Sequence, residues 1–381
     1  MQRRTSRWVC AVALAVAMAV VAAGSGSAVP ARATGAAAIA SPLGHAVVFT
    51  RFVFQGADLA EVYRVDAGGT VEHPIHSVYE AAGLSPDGTQ FSTFAPLPDG
   101  RASGAIFNVD GTGYRVLPIP YPALELPGGQ WSAGGARIAT EGWNPDDPTS
   151  VGIYSRRASD GGGLIRLTDA GTRRDYPAKS SPDGSKLLFF RPDARNETSD
   201  SAPQDLFVVD ARGGGLTRLT PPGTTTGIPF SYDSISWSPG GTKAAVAAAK
   251  GPWWNTTRSV YIANADGSSF TRIGPRGDIW DAMWSPDGRW IAFTMATRAT
   301  GGLHELFLMH PNGSGVRQLT SGADGLFSLQ PTWSPDSDQL LVTRGTDDPN
   351  VTDVWSINVD GSHLFQLTHT PAGYTALAWL P

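Results

Sequence analysis

The stretch Trp284-Ser285-Pro286-Asp287-Gly288, followed by Arg289-Trp290-Ile291-Ala292-Phe293, decides the fold because versions of it recur along the chain. Each copy has an anchor residue at the position of Trp284, and successive anchors are 47, 49, 57, 47, 49 and 46 residues apart. The anchors are Leu84, Trp131, Ser180, Trp237, Trp284, Trp333 and Trp379. Self-similarity at a period of about 40–50 residues is typical of propellers and solenoids.

Each repeat contains four short segments rich in β-branched and aromatic residues. In the copy around Trp284 they are residues 281–285, 290–295, 305–310 and 316–320, which we name strands a, b, c and d. Pro-Asp-Gly joins a to b, and Asp-Gly or Asn-Gly joins c to d, and both favour tight hairpin turns. Because helical periodicity is nearly absent after residue 40, the sequence predicts an all-β protein.

The two ends of the chain complete each other. Six full repeats begin at the anchors from Leu84 to Trp333, while residues 46–51, 61–66 and 70–75 look like strands b, c and d, and residues 375–381 look like a strand a. Pairing these segments would remove the exposed sheet edges of an open array. We therefore predict a seven-bladed β-propeller of four-stranded antiparallel blades, closed by one C-terminal and three N-terminal strands, with six blades as the alternative.

The N-terminus has the pattern of a secretory signal peptide. Three arginines precede an apolar run over residues 8–23, and small residues follow up to Ala33. We expect a signal peptide over residues 1–33, a linker over 34–41 and a single propeller domain over 42–381. The mature protein would then be extracellular, periplasmic or associated with the cell envelope, with no transmembrane anchor after cleavage. The single cysteine, Cys10, lies in the signal, so no disulfide is expected.

Charge and motif content argue against several functions. Without residues 1–33, which hold four arginines and no acid, 34 Asp and Glu side chains outnumber 25 Lys and Arg side chains. An acidic chain without a basic patch does not suggest nucleic acid as a partner. The sequence contains no G-x-S-x-G, H-E-x-x-H or phosphate-binding glycine loop. We therefore predict no cofactor and no metal, and an enzyme is the less favoured interpretation.

The repeat resembles the TolB-type, WD-like β-propeller repeat over nearly all of residues 42–381. The resemblance is carried by Trp-Ser-Pro-Asp-Gly, by residues 306–313, Leu-Phe-Leu-Met-His-Pro-Asn-Gly, and by the Leu-Thr endings at residues 167–168, 219–220, 319–320 and 367–368. It implies the fold and leaves the activity open. TolB as a family has a six-bladed propeller and an additional α/β domain, whereas this chain gives seven repeats and no room for that domain. Related propellers also cap prolyl-oligopeptidase-type hydrolases, and some TolB-like propellers are polysaccharide lyases with several histidines around a metal.

Loop length separates the two faces of such a propeller. The a–b and c–d turns lie on the short-turn face, and the b–c loops and d–a crossovers lie on the long-loop face. Function is more often carried by long, variable loops than by the scaffold that holds them. Aromatic residues on the long-loop face can stack on sugars or anchor a protein partner. The ligand-binding candidates are Trp143, Tyr176, Trp253, Trp254, Trp280, Phe327 and Tyr374.

Residues that recur in every repeat favour a structural role. The anchor tryptophans are expected to pack between blades, and the Asp of each Pro-Asp-Gly is expected to form its turn. The favoured function is a secreted, non-catalytic binding module for a protein, cell-envelope or glycan partner. The alternative is a carbohydrate-active enzyme, a polysaccharide lyase or glycoside hydrolase, that would use His304 and His369 at the channel mouth.

Overall fold

The structure is a computed structural model. It describes residues 43, 45–53, 59–66, 72–78, 83–119, 121, 123–171, 173–192, 204–222, 224–226, 235–250, 257–297, 301–346, 351–369 and 373–380. The expected signal peptide and linker lie outside these residues, so the predicted domain limits stay predictions.

Strands alternate with tight turns along the described chain. The first ten strands are β1 (Val47–Val53), β2 (Leu59–Val65), β3 (Glu72–Val78), β4 (Gly83–Leu84), β5 (Gln90–Pro96), β6 (Ala102–Asn108), β7 (Arg115–Val116), β8 (Gln130–Trp131), β9 (Arg137–Asn144) and β10 (Asp147–Arg157). The next ten are β11 (Ile165–Arg166), β12 (Tyr176–Ser180), β13 (Lys186–Pro192), β14 (Gln204–Asp210), β15 (Thr217–Arg218), β16 (Thr224–Thr226), β17 (Ile235–Trp237), β18 (Lys243–Lys250), β19 (Arg258–Asn264) and β20 (Phe270–Ile279). The last nine are β21 (Met283–Trp284), β22 (Ile291–Ala296), β23 (His304–Met309), β24 (Arg317–Gln318), β25 (Phe327–Trp333), β26 (Gln339–Gly345), β27 (Thr352–Asn358), β28 (Phe365–Gln366) and β29 (Gly373–Trp379).

The all-β propeller prediction is confirmed. Among the described residues the helical structure is one 3₁₀ turn, Gly322–Asp324. The repeat around Trp284 forms β21 to β24, close to the four segments predicted from its sequence. In that repeat and in the others, the strands pair antiparallel in the order a, b, c, d. No helix in the described part of the chain is long and apolar enough to cross a membrane.

The predicted pairing of the chain ends is also observed. β29 lies beside β1 in a four-stranded sheet of order β29-β1-β2-β3. The register joins Trp379 to Val47 at one end and Gly373 to Phe52 at the other, with a bulge between Val48 and Phe49. We name this sheet the split unit, and number the other repeats from the first, at Leu84, to the sixth, at Trp333.

The prediction of seven separate blades needs correction, because hydrogen bonding joins the described strands into five sheets. Four sheets are four-stranded: the split unit and the first, second and sixth units. The third, fourth and fifth units are merged in one 13-stranded sheet. β16 causes part of this merger, since it pairs with β14 on one side and β18 on the other. β20 causes the rest by pairing with β22 through Asp278 and Ile279. Such bridging by crossover strands leaves no signal in the repeat pattern.

The core lies between neighbouring units rather than inside one of them. Leu306 and Leu308 of the fifth unit, for example, pack with Trp333 and Leu340 of the sixth. The same kind of cluster joins Phe49 of the split unit to Leu341 of the sixth. Others connect the split unit to the first and each later unit to the next. A single unit therefore buries its apolar surface only when both neighbours are in place.

Candidate functional site

On the short-turn face, local hydrogen bonds hold the turns between strands a and b. Ser285 Oγ donates to Asp287 Oδ1 at 2.6 Å, and the same serine–aspartate bond recurs at 2.6 Å in the first, third and sixth units. In the third unit the hydroxyl of Ser181 and the backbone N–H of Ser185 lower the pKa of Asp183 to about 2. Gly288 has a φ of 76°, which a side chain would disfavour. These aspartates form turns, as the sequence predicts.

Four of the anchor tryptophans link each unit to the one before it. The indole N–H of Trp333 donates to the carbonyl of Met283 at 2.9 Å, and that of Trp379 donates to Thr332 at 3.0 Å. Trp131 and Trp237 make the equivalent bonds to Gly83 and Lys179, at 2.9 and 3.0 Å. We name these four bonds the indole ladder. They confirm that the anchors pack between units.

Trp284 is the exception. It is half-buried and its indole N–H turns to Gly288 of its own turn, at 3.3 Å. The connection to the fourth unit is made by Ser236, whose Oγ donates to the carbonyl of Ala282 and accepts from the N–H of Trp284, at 2.8 and 2.7 Å. The fourth and fifth units are therefore joined by a serine, where four other pairs of neighbouring units use an indole.

On the long-loop face, the junction of the second and third units carries two of the candidate aromatic residues. Trp143 and Glu141 lie two residues apart on β9, so their side chains share one face of the strand. Arg174, in the crossover from the second unit, forms a bidentate ion pair with Glu141. Its guanidinium lies 5.7 Å from the ring centre of Trp143 and 5.2 Å from that of Tyr176. We name these four residues the Arg174 cluster.

Burial decides the chemistry of the Arg174 cluster. The side chain of Glu141 is 10% exposed and that of Arg174 is 44% exposed. Burial raises the pKa of Glu141, against the opposing effect of the Arg174 charge. Tyr176 is buried at 7%, whereas Trp143 is half-buried. The cluster therefore presents the indole and part of the guanidinium to solvent, above a buried carboxylate.

A second ion pair supports this cluster from below. Asp175 and Arg191 form two hydrogen bonds of 2.6 and 2.7 Å, and their side chains are 0% and 9% exposed. The guanidinium of Arg191 also stacks 5.1 Å from the ring centre of Phe207. Because Asp175 lies between Arg174 and Tyr176, this pair fixes the backbone that carries both residues.

The junction of the fourth and fifth units holds another pair of candidates, Trp280 and His304. Their ring centres are 4.1 Å apart. Asp278 lies at the centre, since its Oδ1 accepts from the indole of Trp280 at 2.9 Å and from Arg258 Nη1 at 2.8 Å. Arg258 and His304 are the first residues of β19 and β23, the c strands of neighbouring units. We name these four residues the Asp278 cluster.

His304 is the most perturbed histidine of the described chain. Its side chain is 12% exposed, and Nε2 lies 3.5 Å from Asp278 Oδ2. That nitrogen is buried and forms no hydrogen bond with the residues that the structure describes. Desolvation lowers the pKa of His304, and the nearby Arg258 charge acts in the same direction, while Asp278 opposes both. Burial therefore favours the neutral form of the ring.

The remaining predicted residues are not gathered into either cluster. Phe327 is half-buried as the first residue of β25. Tyr374 is buried at 1% and packs 5.5 Å from Phe49, so its ring belongs to the core. His369 is exposed after β28. Trp253 and Trp254 lie outside the described residues. Over the described ranges, no group of three or more His, Cys, Asp or Glu side chains has the arrangement of a metal site.

Sequence reasoning missed Glu141, Arg258 and Asp278 as members of these clusters. A signal for Glu141 existed, because the register places it where other units have uncharged residues: Thr50, Phe94, Phe190, Ala247, Thr294 and Thr343. Glu141 is the one charged residue among the seven residues at this position of the repeat. Packing between units does not require a charge there. Asp278 had no such signal, because its contacts depend on the bridging by β20.

Comparison with known proteins gives partial matches in sequence. No protein-family model matches the chain. The uncharacterized peptidase YuxL of Bacillus subtilis is 31% identical over 119 residues, which are 30% of this chain and 17% of that protein. The Tol-Pal system protein TolB of Anaeromyxobacter dehalogenans is 29% identical over 100 residues, which are 26% of this chain and 21% of that protein. The matched segments thus span less than a quarter of either relative.

Solved structures match over most of the chain. The β-propeller domain of the Trilobed protease from Pyrococcus furiosus has a TM-score of 0.59 at 10% identity, covering 86% of this chain and 95% of that one. An oligogalacturonate lyase from Vibrio parahaemolyticus has a TM-score of 0.56 at 13% identity, covering 82% and 90%. Identities this low show the shared fold alone. The chain is therefore a β-propeller that is similar in sequence to TolB over 26% of its length.

Proposed function

We propose that this protein is an exported β-propeller that binds a protein partner of the cell envelope through its long-loop face, without catalysing a reaction. The observation that carries the proposal is the arrangement at two unit junctions, where Trp143 and Trp280 are each half-buried beside an ion pair. Tryptophan and arginine are the residues most enriched among the energetic centres of protein interfaces. Export rests on the N-terminal sequence pattern.

The ion pairs support binding because they fix the rings before a partner arrives. The Arg174 side chain lies against Trp143 and is tied to Glu141, and the indole of Trp280 is tied to Asp278. A ring that is already fixed loses less conformational entropy on binding. The sequence relative that is named a Tol-Pal system protein fits a role in a multi-component assembly. A glycan partner is the alternative ligand for the same aromatic surface.

A capture experiment tests the proposed face. The immobilised protein would be incubated with an extract of the cell envelope, and the bound proteins quantified for wild type and for Trp143→Ala combined with Trp280→Ala. If these tryptophans are energetic centres of the interface, removing them should weaken the binding free energy by about 2 kcal/mol, which is roughly a thirtyfold loss of affinity. Tyr114→Ala is the matched control, since Tyr114 is an exposed aromatic residue at 46% that lies after a c–d turn on the short-turn face. Equal capture by the double variant and wild type would contradict the proposal.

A carbohydrate-active enzyme is the second candidate, favoured by the state of His304. A neutral imidazole with a free nitrogen facing a carboxylate is suited to accept a proton. His369 would have to contribute from its exposed position after β28. Release of reducing ends or unsaturated products would be measured on a panel of polysaccharides with and without EDTA. Activity that disappears in His304→Asn would support this candidate over the binding module, and inactivity on the whole panel would count against it.

A further inference from the structure

A pocket of about 340 Å³ lies beside the second unit, apart from both clusters. Three lining residues, Tyr121, Ala123 and Leu124, belong to the crossover from the first unit. The others are Asn144 and Ser150 of the β9–β10 hairpin, together with Tyr154 and Leu164. The crossover and the hairpin tip both belong to the long-loop face. Part of the pocket lining therefore lies on the face where we place the partner.

The interior of the pocket is apolar. Leu124 is buried and packs with Leu126, Tyr154 and Leu164 in one cluster. The polar atoms at the wall are largely occupied by the protein itself. The hydroxyl of Tyr154 donates to the carbonyl of Ser150 at 2.6 Å, and Asn144 Oδ1 accepts the N–H of Asp146 at 2.9 Å. Ser150 Oγ accepts from the N–H of Asn144 and donates to the carbonyl of Asp147. A ligand here gains by burying carbon rather than by hydrogen bonding, which disfavours a sugar.

The rim of the pocket is aromatic and acidic. Tyr121 is 61% exposed, the most exposed large apolar or aromatic side chain among the described residues. The hairpin tip carries two exposed acids, Asp146 and Asp147. Nearby Arg166 is held by the carbonyls of Thr149 and Val151, as well as by Asp169. The guanidinium of Arg166 lies 5.9 Å from the ring centre of Tyr154. Hydrogen bonds from Thr149 lower the pKa of Asp147, and the charge of Arg166 acts in the same direction. Because Arg166 is also paired with Asp169, the acids outnumber this cation, and the rim favours a second positive charge beside an apolar group.

We propose that this pocket binds a large apolar side chain of the protein partner, such as leucine, with a lysine or arginine next to it facing Asp146 and Asp147. The assignment rests on the proposed binding function and adds the chemistry of the segment that is recognised. A second copy of this chain is a poor occupant, because the sequence has an acidic balance and a net charge of −5.

Short peptides and methyl NMR test the assignment. The protein would carry ¹³C-labelled leucine methyl groups, with Leu124 and Leu164 as reporters, and would be titrated with acetyl-Lys-Leu-Lys-amide. We expect shifts of these two methyl groups at millimolar peptide. Acetyl-Lys-Ala-Lys-amide and acetyl-Glu-Leu-Glu-amide should each bind at least about fivefold more weakly, since one lacks the apolar side chain and the other reverses the charge.

Two variants complete the test. Tyr121→Ala removes an exposed ring, so it should weaken binding of acetyl-Lys-Leu-Lys-amide without affecting the fold. Asp146→Asn combined with Asp147→Asn should abolish the preference for the basic peptide over the acidic one. Equal binding of all three peptides, or shifts confined to other leucines, would overturn the assignment. Shifts of the two reporter methyl groups that follow protein concentration without any peptide would also overturn it, because they would indicate a second copy of this chain in the pocket. The capture experiment with the Trp143 and Trp280 variants is independent, so failure of the pocket and failure of the long-loop face are distinguishable.

Discussion

The short-turn face and the long-loop face of this propeller use polar residues in opposite ways. On the short-turn face, Asp287 and its counterparts each accept a hydrogen bond from the serine two residues before them, and this arrangement recurs in other units. On the long-loop face, the Arg174 and Asp278 clusters contain hydrogen bonds between residues up to 33 positions apart, and each cluster occurs once in the described chain. In a repeat protein, recurrence therefore marks structure, and departure from the repeat marks candidates for function.

The largest expected effect tests whether the anchors are structural. Trp333→Ala removes a ring that is 8% exposed together with one bond of the indole ladder, and should lower the free energy of unfolding by about 3–5 kcal/mol. Trp284→Ala is the matched comparison, because that anchor is half-buried and lacks the bond to the preceding unit. Its cost should be smaller by at least about 1 kcal/mol. Chemical denaturation measures both, and equal costs would show that the ladder contributes little.

The second prediction concerns the buried ion pair under the Arg174 cluster. Asp175→Ala leaves the guanidinium of Arg191 buried without its carboxylate, which should cost about 3 kcal/mol. Asp146→Ala, an exposed acid on the same face, should stay within about 0.5 kcal/mol. Combining Asp175→Ala with Arg191→Met should recover part of the lost free energy of unfolding, since no unpaired charge then remains buried. If the double variant were less stable than Asp175→Ala, the loss would not arise from an unpaired charge.

The third prediction tests whether the turns are equivalent. Asp87→Ala and Asp183→Ala each remove the acceptor of a turn, and each should cost about 1 kcal/mol. The two turns are in the first and third units, so the costs should add to within about 0.5 kcal/mol in the double variant. Thermal and urea unfolding measure this. A strongly non-additive result would mean that the short-turn face carries coupling that its local bonds do not show.

The smallest expected effect is the pH dependence that His304 gives to stability. The folded state lowers the pKa of His304 below its ordinary value of about 6.5, so the unfolded chain takes up the proton first as the pH falls. Stability is therefore lost as the pH falls through 6.5, by at most about 0.7 kcal/mol between pH 7 and 6. His304→Asn removes this contribution and should flatten the profile. An unchanged profile in the variant would place the titrating group elsewhere.

The sequence predicts much of the scaffold and less of the site. Copies of Trp-Ser-Pro-Asp-Gly suffice for the strand order, the turns and the pairing of β29 with β1, because each depends on local turn chemistry and on a period. Five hydrogen-bonded sheets replace the expected seven because β16 and β20 bridge their neighbours. The sequence also proposed Trp280 and His304 separately, without Asp278, which brings them together. Contacts across a junction depend on how two loops meet, and no periodicity records that.

The indole ladder also gives four of the junctions an exchangeable proton of their own. The N–H groups of Trp131, Trp237, Trp333 and Trp379 are held by carbonyls of the preceding unit, so solvent deuterium can replace them only when that junction opens. Trp284 donates to its own turn, and its indole can exchange without any separation of the fourth and fifth units. Resolved exchange rates of five indole resonances would therefore rank four junctions by their opening free energy, with Trp284 as the internal reference for local fraying.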